Sequence, residues 1–334
     1  MRIAVDAMGG DDAPRAVVDG ALVAARRLGA GLLLAGDRTA VDAELARHPG
    51  VRALDVEVRH APDVIAMEES PAAALRRKPG ASIRVAADAV ARREAAALFS
   101  AGHTGATVMA AHAAFGMIEG VDRPALGVTI PTRRGAAVLV DAGANVECRP
   151  AHLVQFAAMG RVFARVALGT REPRVGLLSI GEEETKGTEL VRETHRLLKH
   201  STSFIGNVDG RDVYAGEADV IVCDGFTGNV ALKISEGLID TLETLLREEL
   251  SQTITARVGA LMSARAFRGF RKRVDYSEYG GAPLLGVAGI CIVGHGRSSP
   301  KAVRNAVAMA HRFAEDGLLE RIKEEIAVTA PHTS

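Results

Sequence analysis

The sequence has few cysteines, no excess of charge of either sign, no apolar leader and no linker. Its three cysteines, Cys148, Cys223 and Cys291, are far apart, odd in number and form no CxxC pair. That pattern argues against a disulfide framework or a zinc knuckle and suits a reducing cytoplasm. Formal charge is zero, 41 acidic side chains against 41 basic ones. Nothing global therefore recruits nucleic acid, and any electrostatic partner must be met by a local patch. The opening "MRIAVDAMGG" lacks the long apolar core of a signal peptide and reads as a first strand. No formal charge falls between Glu94 and Glu119, but Ser100, His103, Thr104, His112 and several glycines interrupt that stretch. It reads as a buried strand, turn and helix, not as a membrane span.

What is present is enough apolar material for a large core: 334 residues, 48% of them hydrophobic. Short β-type runs alternate with helical patterns from end to end, which predicts an α/β fold with a mostly parallel sheet covered on both faces. Expected strands are "RIAVDA" from Arg2, "GLLLAG" from Gly31, "RALDVEV" from Arg52, "AALFS" from Ala96, "ALGVTI" from Ala125, "AAVLVDAG" from Ala136, "RVGLLSIG" from Arg174, "ADVIVCDG" from Ala218 and "AGICIVG" from Ala288. Ser70 followed by Pro71 marks a helix start. With no Ser/Gly/Pro-rich divider, residues 1–330 are expected to form one continuous domain.

Six of these strands run into small-residue turns that carry polar groups: "DAMGGD", "SAGHTGA", "DAGAN", "SIGEEETKG", "DGFTGN" and "GHGRSS". Ligands of open α/β sheets sit beyond the carboxyl ends of strands, so six such turns at one sheet edge would build a single site. The first turn lacks GxGxxG and places Asp11 and Asp12 where a pyrophosphate would lie; no GxxxxGK[ST] or HExxH run occurs. A dinucleotide enzyme, a P-loop nucleotidase and a metal hydrolase are thereby disfavoured. What fits is a small anion held by bare amides at a strand-to-helix turn. Lys186 is the best cationic candidate, with an exposed lysine balancing Glu182, Glu183 and Glu184 as the alternative. Asn145 and Asn229 are candidate oxyanion donors or helix caps; Asp141 and Asp224 orient such donors or cap turns. His295 is a polar site residue or a capping ring.

The long motifs "DAMGGD", "SAGHTGA", "DAGANVECRPAHLVQFAAMG", "RVGLLSIGEEETKG", "GNVDGRD", "ADVIVCDGFTGNVALK" and "SEYGGAPLLGV" follow in order through nearly the whole chain. In this the chain resembles the PlsX-type phosphate acyltransferases of bacterial phospholipid synthesis. The resemblance implies conversion of an acyl-(acyl-carrier-protein) thioester and inorganic phosphate to acyl phosphate and free carrier protein, without metal, nucleotide or other cofactor. It also implies a Rossmann-like three-layer α/β/α sandwich, a homodimer, and a downstream membrane acyltransferase that uses the acyl phosphate. His103 stands where the family usually reads asparagine, and Ser179 likewise; both keep hydrogen-bonding ability. The reading that results seats phosphate on the turn Gly102, His103, Thr104 and Gly105 and on Lys186, with Asp6, Gly9, Gly228 and His295 around it. Asn229, supported by Asn145, Asp141 and Asp224, polarises the thioester carbonyl. Cys223, inside the apolar run "VIVC", is a weaker candidate as an acyl-carrying nucleophile. A phosphotransacetylase acting on acyl-CoA and a non-catalytic acyl- or phosphate-binding protein are the rival readings.

From Leu250 to Val274 six basic residues occur and no acid. Leu250, Ile254, Val258, Leu261 and Met262 share one helical face; Phe267 and Phe270 fall off that phase, which predicts two short amphipathic helices meeting near Ser263. Arg268, Arg271 and their basic neighbours suit an anionic membrane surface or an acidic carrier protein, with a core or dimer helix carrying a solvated basic face as the alternative. A cytoplasmic protein peripherally attached to the inner face of the plasma membrane is the expectation.

Overall fold

The computed structural model describes residues 1–274 and 280–329. Its strands are β1 (Arg2–Asp6), β2 (Gly31–Gly36), β3 (Val56–His60), β4 (Ala97–Ser100), β5 (Ala125–Thr132), β6 (Gly135–Val140), β7 (Val175–Leu178), β8 (Phe204–Val208), β9 (Val220–Val222), β10 (Ala282–Leu285) and β11 (Ile290–Val293). The helices are α1 (Arg15–Leu28), α2 (Arg38–Leu45), α3 (Pro71–Arg77), α4 (Ser82–Ala91), α5 (Thr104–Phe115), α6 (Pro150–Leu168), α7 (Glu189–Leu198), α8 (Gly225–Ser251), α9 (Ile254–Met262), α10 (Ala264–Val274), α11 (Pro300–Glu315) and α12 (Leu318–Thr329). Each of the nine expected strands overlaps an observed one, although Arg52 and Ala53 of "RALDVEV" lie in a short 3-10 turn ahead of β3, and Ser70 with Pro71 opens α3. Two strands were not foreseen. In β8 a glycine at φ +104, Gly206, interrupts the apolar run. In β10 Pro283 sits mid-strand, a position that ordinarily argues against a strand. Ser277 to Tyr279 of the motif "SEYGGAPLLGV" lie outside the described residues.

Side chains of successive strand residues enter opposite faces, because β-structure has a period of two. Ile3 and Val5 of β1 join one core with Leu32 and Leu34 of β2, beneath Val18, Leu22, Val303 and Phe313 of α1 and α11. Ala4, Leu33 and Leu98 join a second core under α4 and α5. Burial on both sides explains why these strands read as continuous apolar runs. Beyond β6 a third cluster, with Ile130, Leu139, Val208, Val213 and Ile221, fills the corresponding face.

Strand order is β3-β2-β1-β4-β11-β10-β5-β6-β9-β7-β8. Pairing is parallel except for three antiparallel steps, β11 to β10, β10 to β5 and β5 to β6. Three reversals leave β6, β9, β7 and β8 pointing opposite to β3, β2, β1, β4 and β11. The carboxyl ends of the two halves therefore leave at opposite edges, which corrects the expectation of six turns along one edge.

The halves nonetheless meet, because the sheet forks. Strand β10 pairs with β11 through Ala282 and Pro283 but with β5 through Leu284 and Leu285, opposite Leu126 and Ala125. From Gly127 to Thr132 β5 pairs with β6. The turn after β6 and the start of α8 line one cleft together with the turns after β4 and β11.

Candidate functional site

A cleft of about 530 Å³ occupies the fork. Its lining includes Gly102, Thr104 and Gly105 at the start of α5 and the turn 294–298 after β11. From the other half of the sheet come Ala142, Gly143 and the α8 residues Asn229, Leu232, Lys233 and Glu236, which fall at i, i+3, i+4 and i+7 on one helical face. Leu126, Val128 and Val293 add apolar surface. A smaller recess of about 130 Å³ adjoins it, lined by Asp6, Gly9, His103 and Thr107 and sharing Asp11, Met67 and Gly102 with the cleft.

The first two turns are interlocked. The Ser100 hydroxyl donates to Asp6 Oδ2 at 2.7 Å, and the Gly102 N–H donates to Ser100 Oγ at 3.1 Å. A Cβ on Gly9 would lie 2.7 Å from both Asp6 Oδ2 and the Gly102 nitrogen, so only glycine permits this approach. Burial pushes the Asp6 carboxyl above the usual carboxylate range, opposed by hydrogen bonds from Ser82, Ser100, Met8 and Gly9. His103 caps α5: its Nδ1 accepts from the Gly105 N–H at 3.1 Å. In the neutral ring that contact leaves the proton on Nε2. His295 acts similarly, its Nδ1 accepting from the Arg297 N–H at 3.2 Å and its carbonyl from the Ser298 hydroxyl at 2.6 Å.

The second pair of turns is organised by Asp141. Its buried carboxylate accepts from the N–H groups of Leu126, Gly143, Ala144 and Asn145 and from the Asn145 amide, at 2.8 to 3.0 Å. Burial raises its pKa and those donors pull it back. Asn145 is committed here, since its amide also donates to the Pro124 carbonyl at 2.6 Å. Asp224 caps α8, accepting from the Thr227 N–H at 2.9 Å and its hydroxyl at 2.7 Å. Asp141, Asn145 and Asp224 thus hold the scaffold, while Asn229 alone of these residues lines the cleft. A Cβ on Gly143 would come within 2.7 Å of Asn229 Nδ2, so the amide lies directly against the bare turn. Gly228 lies beneath it, packed on the Asp141 carbonyl.

The loop 179–187 follows β7, one strand beyond β9, and Lys186 on it is exposed and not part of the cleft lining. Lys233 and Arg297 are the cationic side chains that do line it. The sequence reading passed over both, although Lys233 stands one helical turn after Asn229 in "GFTGNVALK". Cys223 is buried, and desolvation pushes its thiol well above the ordinary range; Cys148 is pushed up to about 11. Neither supplies a thiolate nucleophile at neutral pH. Among the described residues no group of three or more His, Cys, Asp or Glu side chains is arranged to hold a metal ion.

Helices α9 and α10 occupy the expected 250–274 region and break at Ser263. Leu250 belongs instead to the last turns of α8, whose Asp224 cap starts a helix 27 residues long. Ile254, Val258, Leu261, Met262 and Phe270 are exposed, Phe267 half-buried. Among the described residues no helix is long and apolar enough to cross a membrane.

The family model described as fatty acid synthesis protein matches residues 1–321. A Geobacter sulfurreducens protein named phosphate acyltransferase is 48% identical over 327 residues, 98% of this chain and 94% of that one. A protein of the same name from Pelotomaculum thermopropionicum is 50% identical over 98% of this chain and 95% of its own length. Among solved structures, a phosphotransacetylase from Streptococcus pyogenes superposes with a TM-score of 0.61 at 16% identity, covering 95% and 94% of the two chains. A branched-chain phosphotransacylase from Enterococcus faecalis gives 0.56 at 14% identity, covering 94% and 99%. These two likenesses speak for the α/β fold alone. The full-length match to the family model and the near-half identity to its curated members make this chain a member of the fatty acid synthesis protein family, the PlsX-type phosphate acyltransferases.

Proposed function

We infer that the forked cleft is where an acyl-(acyl-carrier-protein) thioester and inorganic phosphate become acyl phosphate and free carrier protein. The chain is an acyltransferase of lipid synthesis by family; what supports the placement is that Gly102, Thr104 and Gly105 of the bare turn and Asn229 line one cavity. Phosphate loses its second proton at roughly pH 6, so the nucleophile is ionised without a general base. The start of α5 and Arg297 seat that dianion, the helix supplying amide dipoles and the guanidinium a bidentate fork. Asn229 donates to the thioester carbonyl oxygen as it becomes an oxyanion. A phosphate oxygen bonds to the carbonyl carbon, the C–S bond breaks with its electron pair leaving on sulfur, and the thiolate takes a proton from water.

The test is phosphate-dependent thiol release with hydroxylamine trapping of the acyl phosphate. Carrier thioester is expected to turn over and acyl-CoA much less. Preference for acyl-CoA makes the enzyme a phosphotransacetylase, and binding without thiol release makes it a non-catalytic binder. Arg297→Ala is expected to raise the phosphate KM roughly tenfold or more, the loss of a charged hydrogen-bond partner. Lys186→Ala serves as comparison: an unchanged KM there and a raised one for Arg297→Ala keep the clamp inside the cleft, and the reverse moves it to Lys186.

Two further assignments concern the arm. On the side of α8 away from the cleft, Ile234, Leu238, Leu242 and Leu245 form an exposed apolar stripe. A second copy of the chain covers it, giving a homodimer. The exposed apolar residues of α9, Leu261 and Met262 foremost, rest on an anionic membrane at the cytoplasmic face, where a membrane acyltransferase receives the reactive product. Leu238→Glu with Leu242→Glu is expected to sediment as a monomer, and Leu261→Glu with Met262→Glu to lose flotation with anionic vesicles. Unchanged sedimentation or unchanged flotation by folded variants removes the respective assignment.

A further inference from the structure

The arm carries two different surfaces, and they do not suit the same partner. Helix α9 presents Ile254, Val258, Leu261 and Met262 to solvent and carries a single base, Arg257. Helix α10 is the reverse. Its Phe267 is half-buried, and its Arg271 guanidinium pairs with Glu243 of α8 at 3.2 Å. Arg265, Arg268 and Lys272, at i, i+3 and i+7, then share an exposed outer face. Phe270, the exposed large apolar residue of α10, is two positions from Arg268 and falls on another side of the helix. A bilayer surface rewards an apolar bed, which α9 has and this face lacks.

We propose that the outer face of α10 is the docking site of the carrier protein, engaging a carboxylate-bearing surface on it. This rests on the reaction assigned to the cleft. Position supports it. The Arg271–Glu243 pair links α10 to the helix that lines the cleft, 14 residues on from Asn229, about 21 Å of helical rise. A carrier docked there delivers its acyl group on a flexible arm along α8, with the protein body held clear of the apolar face of α9. Charges of this kind steer encounter and set the orientation of the partner, and their contribution falls as salt screens them.

The experiment compares wild type with Arg265→Glu/Arg268→Glu/Lys272→Glu in steady-state turnover of acyl-carrier thioester with phosphate. Expected are a rise of roughly tenfold or more in carrier KM, an unchanged kcat at saturation and an unchanged phosphate KM. The corresponding Arg→Lys variant should restore carrier KM, and flotation with phosphatidylglycerol vesicles should persist. A wild-type carrier KM in the reversed variant overturns the proposal, and a loss of flotation alone assigns the face to lipid instead. Arg268→Glu by itself, expected to raise carrier KM severalfold, serves if the triple variant does not fold. If wild type itself releases no thiol from the carrier thioester, the assignment of the cleft fails, a result separate from failure of the docking site.

Discussion

Asn229→Ala is expected to lower kcat for acyl phosphate formation by roughly two to three orders of magnitude, the effect of losing one oxyanion donor from a preorganised site. Both KM values and the thermal midpoint should stay close to wild type, because the side chain lines the cleft and is not part of the core. Asn229 lies in the second turn of α8, fixed by the Asp224 cap below it and by the glycine contact with residue 143 beside it. Its amide is therefore positioned before substrate arrives and does not reorganise during the reaction. Asn229→Asp should be at least as damaging, since it replaces a donor by an acceptor and puts negative charge where an oxyanion forms. A drop smaller than tenfold in single-turnover hydroxamate assays would remove Asn229 from the role.

Gly228→Ala is expected to be the most disruptive small substitution in the chain, costing about 3 kcal/mol or more in denaturant unfolding and abolishing activity. A Cβ there would stand 1.9 Å from the Asp141 carbonyl oxygen and 3.0 Å from Cys223 Sγ. The first obstacle is backbone, and it cannot yield cheaply, because the Asp141 carboxylate is tied down by hydrogen bonds from Leu126, Gly143, Ala144 and Asn145. Helix α8 would have to rise off the turn, carrying Asn229 with it. Gly237→Ala, on the same helix where an added Cβ meets open space, is the control. It should be neutral or more stable by up to about 1 kcal/mol. Equal behaviour of the two variants would refute the packing argument.

Much of this architecture can be read from the chain before any coordinates, and the exceptions have physical causes. Apolar runs such as "GLLLAG" announce strands buried on both faces, and here sequence and structure agree residue for residue. Strands β8 and β10 escape notice because Gly206 and Pro283 break the pattern that a ladder ordinarily imposes. Small-residue turns point to the site, and five of the six contribute residues to the cleft or its recess. The sixth, with Lys186, does not: its strand β7 points the same way as β6 and β9 but lies one place farther along the sheet, and strand order is a long-range property that no local pattern encodes. Asp141, Asn145 and Asp224 look alike from the sequence as donors or caps; only their hydrogen bonds show that they hold the frame. Lys233 went unread because a lysine on an exposed helix is ordinarily a solvated charge, and nothing local says which face of α8 meets the fork.

Four residues of β10 tie the two sheet halves together, two for each side. Each side of that junction thus rests on two residue pairs, against five between β1 and β2 and six between β5 and β6.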